Sequence, residues 1–389
     1  MDVSFFISSR LKSKKGLVVG CITVSFVVMI IAVAVASGFR REISSSLSQL
    51  GGDIAITPPS LNVLDESFPI EENPSYLPDL MALDCVKDVV PAVYKAGMVK
   101  SGDLLHGVLF KGIPMENPDS VSFPVSIPSR LGELLGLSQG DEMPAYFIGD
   151  RLKIRKFRIV SLYDDLVRTD DKLLVYAPLQ DIRRLNGWDE GQVSTLEVIL
   201  DDGYKSVKSL DDAAYGIGML VSDYSASSEH PVIATSSARR YPVLFDWLQV
   251  IDLNVLVILI LMTIVAGFNM ISGLLIMLFE NISTIGLLKS MGMKTTAIAR
   301  IFLYKGSVMV FKGMLLGNVI ALLICFLQEK THILRLNPEN YFVSFVPMNV
   351  DLSVILLSDI VSYLVIVLLL LLPCIFISRV DPSESVRVK

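Results

Sequence analysis

Residues 17–36 read LVVGCITVSFVVMIIAVAVA, and this stretch decides the fold. It carries no charge, and roughly 20 apolar helical residues are what a hydrocarbon core about 30 Å thick requires. With two further residues it makes a first span over 17–38, and runs of the same character recur at 255–279, 302–327 and 354–377. Between the first and second runs lies a long polar region. The pattern is that of an α-helical membrane protein with four transmembrane helices and one large domain outside the bilayer. With 52% hydrophobic residues and a mean hydropathy of +0.57, an ordinary soluble domain of this length is excluded.

Lys and Arg in the short flanks give the orientation, because cytoplasmic ends of spans carry the excess. Arg10, Lys12, Lys14 and Lys15 precede the first span, Lys289, Lys294 and Arg300 lie between the second and third, and Arg379, Arg387 and Lys389 follow the fourth. All three groups fall on one side, so both termini are expected in the cytoplasm and the large domain outside it. Arg40 and Arg41 are the exception and read as interfacial anchors. From 51 to 245 the chain holds 29 acidic and 18 basic residues, a balance of −11. An acidic outer domain argues against nucleic-acid binding, which needs clustered positive charge.

The sequence Val18-Val19-Gly20-Cys21 imitates a lipidation site, but the apolar run continues past Cys21, and too few apolar residues precede it to make a signal core of 7–15 residues. Cys85 stands alone in the outer domain, and Cys325 and Cys374 lie in spans, so no disulfide framework is expected.

The outer part opens with a helical continuation over 39–50, with Ile43, Leu47 and Leu50 on one face, ended by Gly51-Gly52. A strand is expected over 53–57, a Pro-rich acidic loop over 60–80, and further strands at 108–112, 157–160, 173–176 and 195–200. Helical pieces at 129–137 and 178–186 make the domain α+β. Arg151, Lys153 and Arg155 alternate with apolar residues, which fits a charge-protected edge strand or a docking surface for an acidic partner. Residues 241–252 read as a helix feeding the second span, with Phe245, Leu248 and Ile251 on its apolar stripe and Trp247 at the interface.

No Gly-rich phosphate loop and no His-Glu-x-x-His occurs, and His106, His230 and His332 are scattered. No catalytic residue and no metal site is therefore expected, and the energy source is expected in a partner. The most specific local signal is 280–300. Ile282, Ile285, Leu288 and Met291 recur at helical spacing, Ser283 or Asn281 is placed to cap the start, Gly292 fits the left-handed position at the end, and Thr295 is placed to cap the next span. That gives a short amphipathic helix in the membrane plane, either an ordinary interfacial helix or a knob that inserts into a soluble subunit. Polar residues inside the spans are few. Lys305 is placed to snorkel, Lys312 lies deeper, Asn269 should face a helix, and Gly313-x-x-x-Gly317 permits close helix approach. A lining with no charged relay suits a hydrophobic cargo better than ion transport.

Residues 280–294, ENISTIGLLKSMGMK, resemble the coupling segment of the MacB/FtsX superfamily. Phe245-Asp-Trp-Leu248 followed by IVAGFNMISGL at 264–274 is similar to the second span of lipoprotein-releasing ABC transporter permeases of the LolC/LolE type. LGELLGLSQGD at 131–141, FRIVS at 157–161 and DPSESVR at 381–387 also resemble segments of that family. The resemblance covers almost the whole chain. It implies a bacterial inner-membrane permease with a MacB-like periplasmic core, organised as a cytoplasmic N-terminus and first span (1–39), stalk helices and periplasmic domain (40–250), second span (251–279), coupling loop (280–300), and third and fourth spans with tail (301–389).

The resemblance further implies a LolD-like dimer of cytoplasmic ATPases that binds ATP and Mg, a second permease copy or paralogue, a lipoprotein cargo and a LolA-like periplasmic chaperone. Glu280, Ser283, Ile285, Gly286, Leu288, Lys289, Met291, Gly292 and Lys294 would carry the ATPase contact. Val35, Phe39, Asn254 and Ile258 would line the cargo site. Two departures are visible. Thr284 stands where the motif has a second Glu, and the stretch between Asp141 and Phe157 is short where the chaperone-recruiting member carries a longer loop, which fits a non-docking partner or a merged version. A MacB-like exporter and an FtsX-like relay to a cell-wall hydrolase are the competing readings.

Overall fold

The computed structural model describes residues 15–59, 68–102, 104–115, 123–148, 152–163, 173–225, 231–337, 341 and 343–374. The basic residues expected before 15 and after 374, the segment 381–387, Arg151 and His230 lie outside the described residues, as does the side chain of Lys15. The chain divides into two compact units. One comprises Met1–Arg41, Trp247–Arg335 and Phe345–Lys389, and the other Glu42–Asp246 and Leu336–Ser344. Residues 336–344, which the sequence assigns with the third and fourth spans, therefore group with the second unit.

Among the described residues four helices are long and apolar enough to cross a membrane. They are α1 (Lys15–Gly51), α7 (Pro242–Glu280), α9 (Thr295–Thr331) and α10 (Leu352–Leu369), which continues after one residue as α11 (Leu371–Cys374). In the first unit Ile22, Phe26 and Met29 of α1 pack with Met270 and Leu274 of α7, Phe302 and Met309 of α9, and Ile366 of α10. Small residues allow the closest approach. A Cβ at Gly313 would lie 2.6 Å from Ile22 Cγ2, and one at Gly317 2.7 Å from Phe26 Cβ. Backbone proximity of this kind lets dispersion hold helices that gain nothing from leaving lipid. Asp351 caps α10 by accepting from Ser353 N and Val354 N at 2.9 and 3.4 Å. Arg40 pairs with Asp252, and Arg41 donates to Asn349 Oδ1 at 3.0 Å.

Two readings of the span interior change. Lys305 is buried in the bundle and does not snorkel, whereas Lys312 is the exposed one. A carboxylate the sequence reading passed over, Asp359 of α10, is 3% exposed inside the bundle. The interior is therefore not free of ionisable groups.

In the second unit, the strands are β1 (Ile54–Thr57), β2 (Ile70–Glu71), β3 (Val86–Ser101), β4 (Leu104–Ile113), β5 (Pro124–Pro128), β6 (Glu142–Phe147), β7 (Lys153–Tyr163), β8 (Leu173–Pro178), β9 (Gln192–Val193), β10 (Thr195–Leu200) and β11 (Ile233–Ser236). The helices are α2 (Leu77–Met81), α3 (Ser129–Leu135), α4 (Leu179–Asn186), α5 (Val207–Ser225) and α6 (Ser237–Arg240). The large sheet runs β11-β1-β10-β3-β4-β8-β5-β7-β6, and β6 pairs again with β3 through Met98↔Tyr146 and Val99↔Ala145. Six strands thus close on themselves around Phe110, Phe147 and Phe157, whose rings lie 5.0–6.1 Å apart.

Long β3 makes both halves possible, since its first part pairs with β10 and its second with β4. Pro91 falls in the half that β10 alone flanks, where a missing N–H is tolerated. The expected loop over 60–80 contains β2 and α2. The basic end of β7 pairs only with β6, so it is open on one side, and Lys153 Nζ donates to Leu185 O at 3.0 Å.

Candidate functional site: the short helix after the second span

α7 ends at Glu280, and α8 (Ile282–Ser290) follows after Asn281. Neither expected side-chain cap forms. Asn281 turns back to donate from Nδ2 to Met277 O at 2.8 Å, and no side chain caps α8. Thr295 does not cap α9 either; Lys294 holds the cap position with its backbone extended and its side chain uninvolved. The C-terminus of α8 is closed by backbone bonds, and Ser290 Oγ adds one by donating to Leu287 O at 2.8 Å. Met293 N donates to Leu288 O at 3.0 Å and Gly292 N to Lys289 O at 2.9 Å, with Gly292 at φ +85°. That pair of bonds needs a left-handed residue, which glycine adopts without a Cβ penalty.

The helix is fastened on one face. Ile285 and Gly286 are buried, with Ile285 against the cluster that holds Met277, Ile298 and Ile301. Leu288 is half-buried on the same cluster, and Lys289 is half-buried. The opposite face is free of the chain's own packing. Glu280, Ser283, Ser290, Gly292 and Lys294 are exposed, and two large apolar side chains stand out at 56% (Leu287) and 75% (Met291) exposure. Leu287 and Met291 are four residues apart and so share one face. The 282-285-288-291 stripe expected as one surface is therefore split, with Ile285 inside and Met291 outside, and the spacing of Leu287 from Met291 is the signal in the sequence that marks the free face. What the arrangement offers is a rigid apolar tip, flanked by charge, at the junction of two spanning helices.

The four residues expected at a cargo site differ in exposure. Phe39 is buried, edge-on to Trp247 with ring centroids 5.4 Å apart. Val35 is half-buried beside Cys325 and Met348. Asn254 and Ile258 are exposed, on an α7 that also leaves Leu253, Val257 and Phe268 uncovered. Asn269 is half-buried.

The second unit holds a buried charged centre that no local motif signalled. Lys111 Nζ donates to Glu197 Oε2 at 2.8 Å and to the carbonyls of Gln49 and Leu50, both at 3.0 Å. Tyr94 Oη donates to Glu197 Oε1 at 2.6 Å and reaches Leu50 O at 3.1 Å. Burial pulls the Lys111 ammonium below its ordinary range, against the opposing pull of Glu197. Burial, and then the Glu197 charge, push the Tyr94 phenol well above its usual value. A cation on the last carbonyls of a helix satisfies acceptors that have no intrahelical donor. The end of α1 is thereby tied to β4 and β10. A cavity of about 500 Å³ adjoins this centre, lined by Ser46, Lys111, Ser126, Ser161, Tyr176 and Glu197 among others.

Residues 214–382 match the FtsX-like permease C-terminal family. The lipoprotein-releasing system transmembrane protein LolC of Neisseria meningitidis serogroup B is 23% identical over 334 residues, covering 76% of this chain and 77% of that protein. The corresponding LolE of Haemophilus influenzae is 22% identical over 433 residues, covering 99% of each. The periplasmic region of MacB from Actinobacillus actinomycetemcomitans aligns with 51% of this chain and 95% of its own at 14% identity and a TM-score of 0.32. The chain thus combines four apolar helices among the described residues with an FtsX-like permease domain over 214–382. The likeness to LolC and LolE covers 76% and 99% of the chain.

Proposed function

We propose that this chain is the permease subunit of an ABC transporter that releases lipoproteins from the bacterial inner membrane, driven by ATP hydrolysis in a separate subunit. The observation that carries the reading is the likeness to LolC and LolE over 76% and 99% of the chain. In this reading α8, flanked by Lys289, Lys294 and Arg300, faces the cytoplasm with both termini, and the acidic unit of 42–246 lies in the periplasm. A LolD-like ATPase dimer holding ATP and Mg receives the exposed tip at Leu287 and Met291, with Glu280, Ser283 and Lys294 around it. Ile285 and Gly286 serve as the fixed side of the same lever.

A second permease completes the complex and covers the apolar face of α7. Closure of the ATPases pushes α8. Because α1 and α7 each run unbroken past their apolar stretches, the push reaches the outer ends of the spans, where Asn254 and Ile258 meet the acyl chains of the cargo. Release to a LolA-like chaperone follows.

The packing also chooses the test. A charge at Leu288 would disturb the bundle, whereas Leu287 and Met291 are free of it. The double variant L287E/M291E, assembled with its ATPase, is expected to insert and fold normally but to lose nucleotide-driven lipoprotein release and permease-dependent stimulation of ATP hydrolysis. Undiminished release by that variant overturns the assignment of α8.

A further inference from the structure

Asp359 lies about two turns of helix beyond the Asp351 cap, inside the fourth span. It is 3% exposed. Among the described residues its side chain has one hydrogen bond, from the third span, where Asn318 Nδ2 donates to Asp359 Oδ2 at 2.6 Å. The other oxygen of each side chain is informative. Asp359 Oδ1 and Asn318 Oδ1 are both buried, and neither has a hydrogen-bond partner among the described residues. If Asp359 is an ion, both orphans are acceptors, and no rotation of either group satisfies them against each other.

The surroundings offer no compensation for a charge. On α9 the charged groups are Lys312, Glu329, Lys330 and Arg300, all exposed, and Lys305, which is buried; at 1.5 Å per residue they lie about 9, 17, 18, 27 and 20 Å along the helix from Asn318. Residues 352–374 hold no other charged side chain, and the nearest before them is the cap Asp351. Residues 16–39 of α1 and 253–279 of α7 contain no charged side chain. Among the described residues no lysine, arginine or histidine forms a salt bridge with Asp359. An ionised carboxylate held by a single amide in an apolar bundle is strongly disfavoured, and a carboxyl group in that position binds a proton instead.

We propose that Asp359 is a proton-binding site, occupied at neutral pH, and that the neutral acid forms a reciprocal pair with Asn318. One proton resolves both orphans. Asp359 Oδ1–H donates to Asn318 Oδ1 while Asn318 Nδ2–H donates to Asp359 Oδ2, closing a ring of two hydrogen bonds between the third and fourth spans. The pair is a charge-free clasp, which fastens two helices in lipid and leaves no ion behind when they shift.

Infrared difference spectroscopy on the full chain in nanodiscs at pH 7, wild type minus D359N, tests it directly. The carbonyl band of one protonated carboxylic acid is expected in the wild type and absent from D359N. The band should persist at pH 7, where protons are about a thousandfold scarcer than at the ordinary Asp midpoint near 3.9. In N318L the same band should remain and move to higher frequency as its hydrogen bonds are lost. D359N, whose amide reproduces the donor and acceptor of the neutral acid, should keep wild-type thermal stability, whereas D359L should lose it. Absence of the acid band from the wild type at pH 7 overturns the proton site. A band that N318L does not move overturns the pairing.

Discussion

Lys111 and Asp359 are buried to nearly the same degree, at 2% and 3% exposure, and are held in opposite ways. In the sheet domain, Lys111 has three acceptors, one of them a carboxylate. In the helical bundle, Asp359 has one amide. The difference follows from what each kind of structure leaves available. A helix that ends inside a domain presents carbonyls with no intrahelical partner, and a sheet can direct a carboxylate at the same point, so a buried ion finds a full set of ligands. In the middle of a spanning helix every backbone carbonyl is already taken. An ionisable group there has only side chains to turn to, and shedding its charge is the cheaper course.

Breaking the richer site should cost most. Lys111→Ala leaves the Glu197 carboxylate buried without its cation, and a loss of about 3–5 kcal/mol is expected, read by denaturing the full chain in detergent and following Trp188 fluorescence. The double replacement K111M/E197M removes both charges and should recover most of that loss. A single variant that costs no more than a surface ion pair would erase the contrast between the two regions.

The bundle site should respond less. Asp359→Leu removes interhelical hydrogen bonds worth about 0.6–2 kcal/mol in membranes, measurable by titrating the protein from mild detergent into dodecyl sulfate. A loss as large as that of Lys111→Ala would mean that the two centres are held alike.

Asp53 sharpens the comparison from between the two extremes. It is buried and accepts from Leu200 N at 2.9 Å, and burial raises its carboxyl above the ordinary 3.8 despite that bond and the charges of Lys205 and Arg240. A raised carboxyl binds its proton more tightly in the folded chain than in the unfolded one. Its contribution is therefore complete below about pH 3.8 and is lost as pH rises through the raised value. Asp53→Asn should flatten that fall in stability, the smallest of the three effects. It is read from denaturation midpoints across that acid range, and an unchanged slope would argue against a perturbed Asp53.

Hydropathy made the four spans legible, because twenty apolar residues in a row have few other uses. Gly292 was legible as a helix end because the left-handed position selects for glycine, and β10 was found at its full length from alternation alone. Other features were not. The length of β3 was hidden by Pro91, Gly97 and four charged residues, all tolerated because its two halves pair with different strands. Phe39 is buried edge-on against Trp247, a pairing that depth in the sequence cannot specify because depth says nothing about which face turns inward. Asp359 was within reach, since any ionisable residue in a span is a signal, yet its apolar neighbours disguised it. Asn318 could be linked to it only through the contact between two helices.

By itself, the sequence determined that this chain crosses a membrane, how often, and where the exposed helix after the second span must stop. These depend on local properties, such as the apolarity of a window or the φ that one residue tolerates. Only the tertiary structure decided which side of α8 is fastened and which is free, that six strands close through β6 onto β3, and which buried ions find partners. Those outcomes rest on pairings between residues far apart in the chain, where geometry selects among options that composition leaves equal.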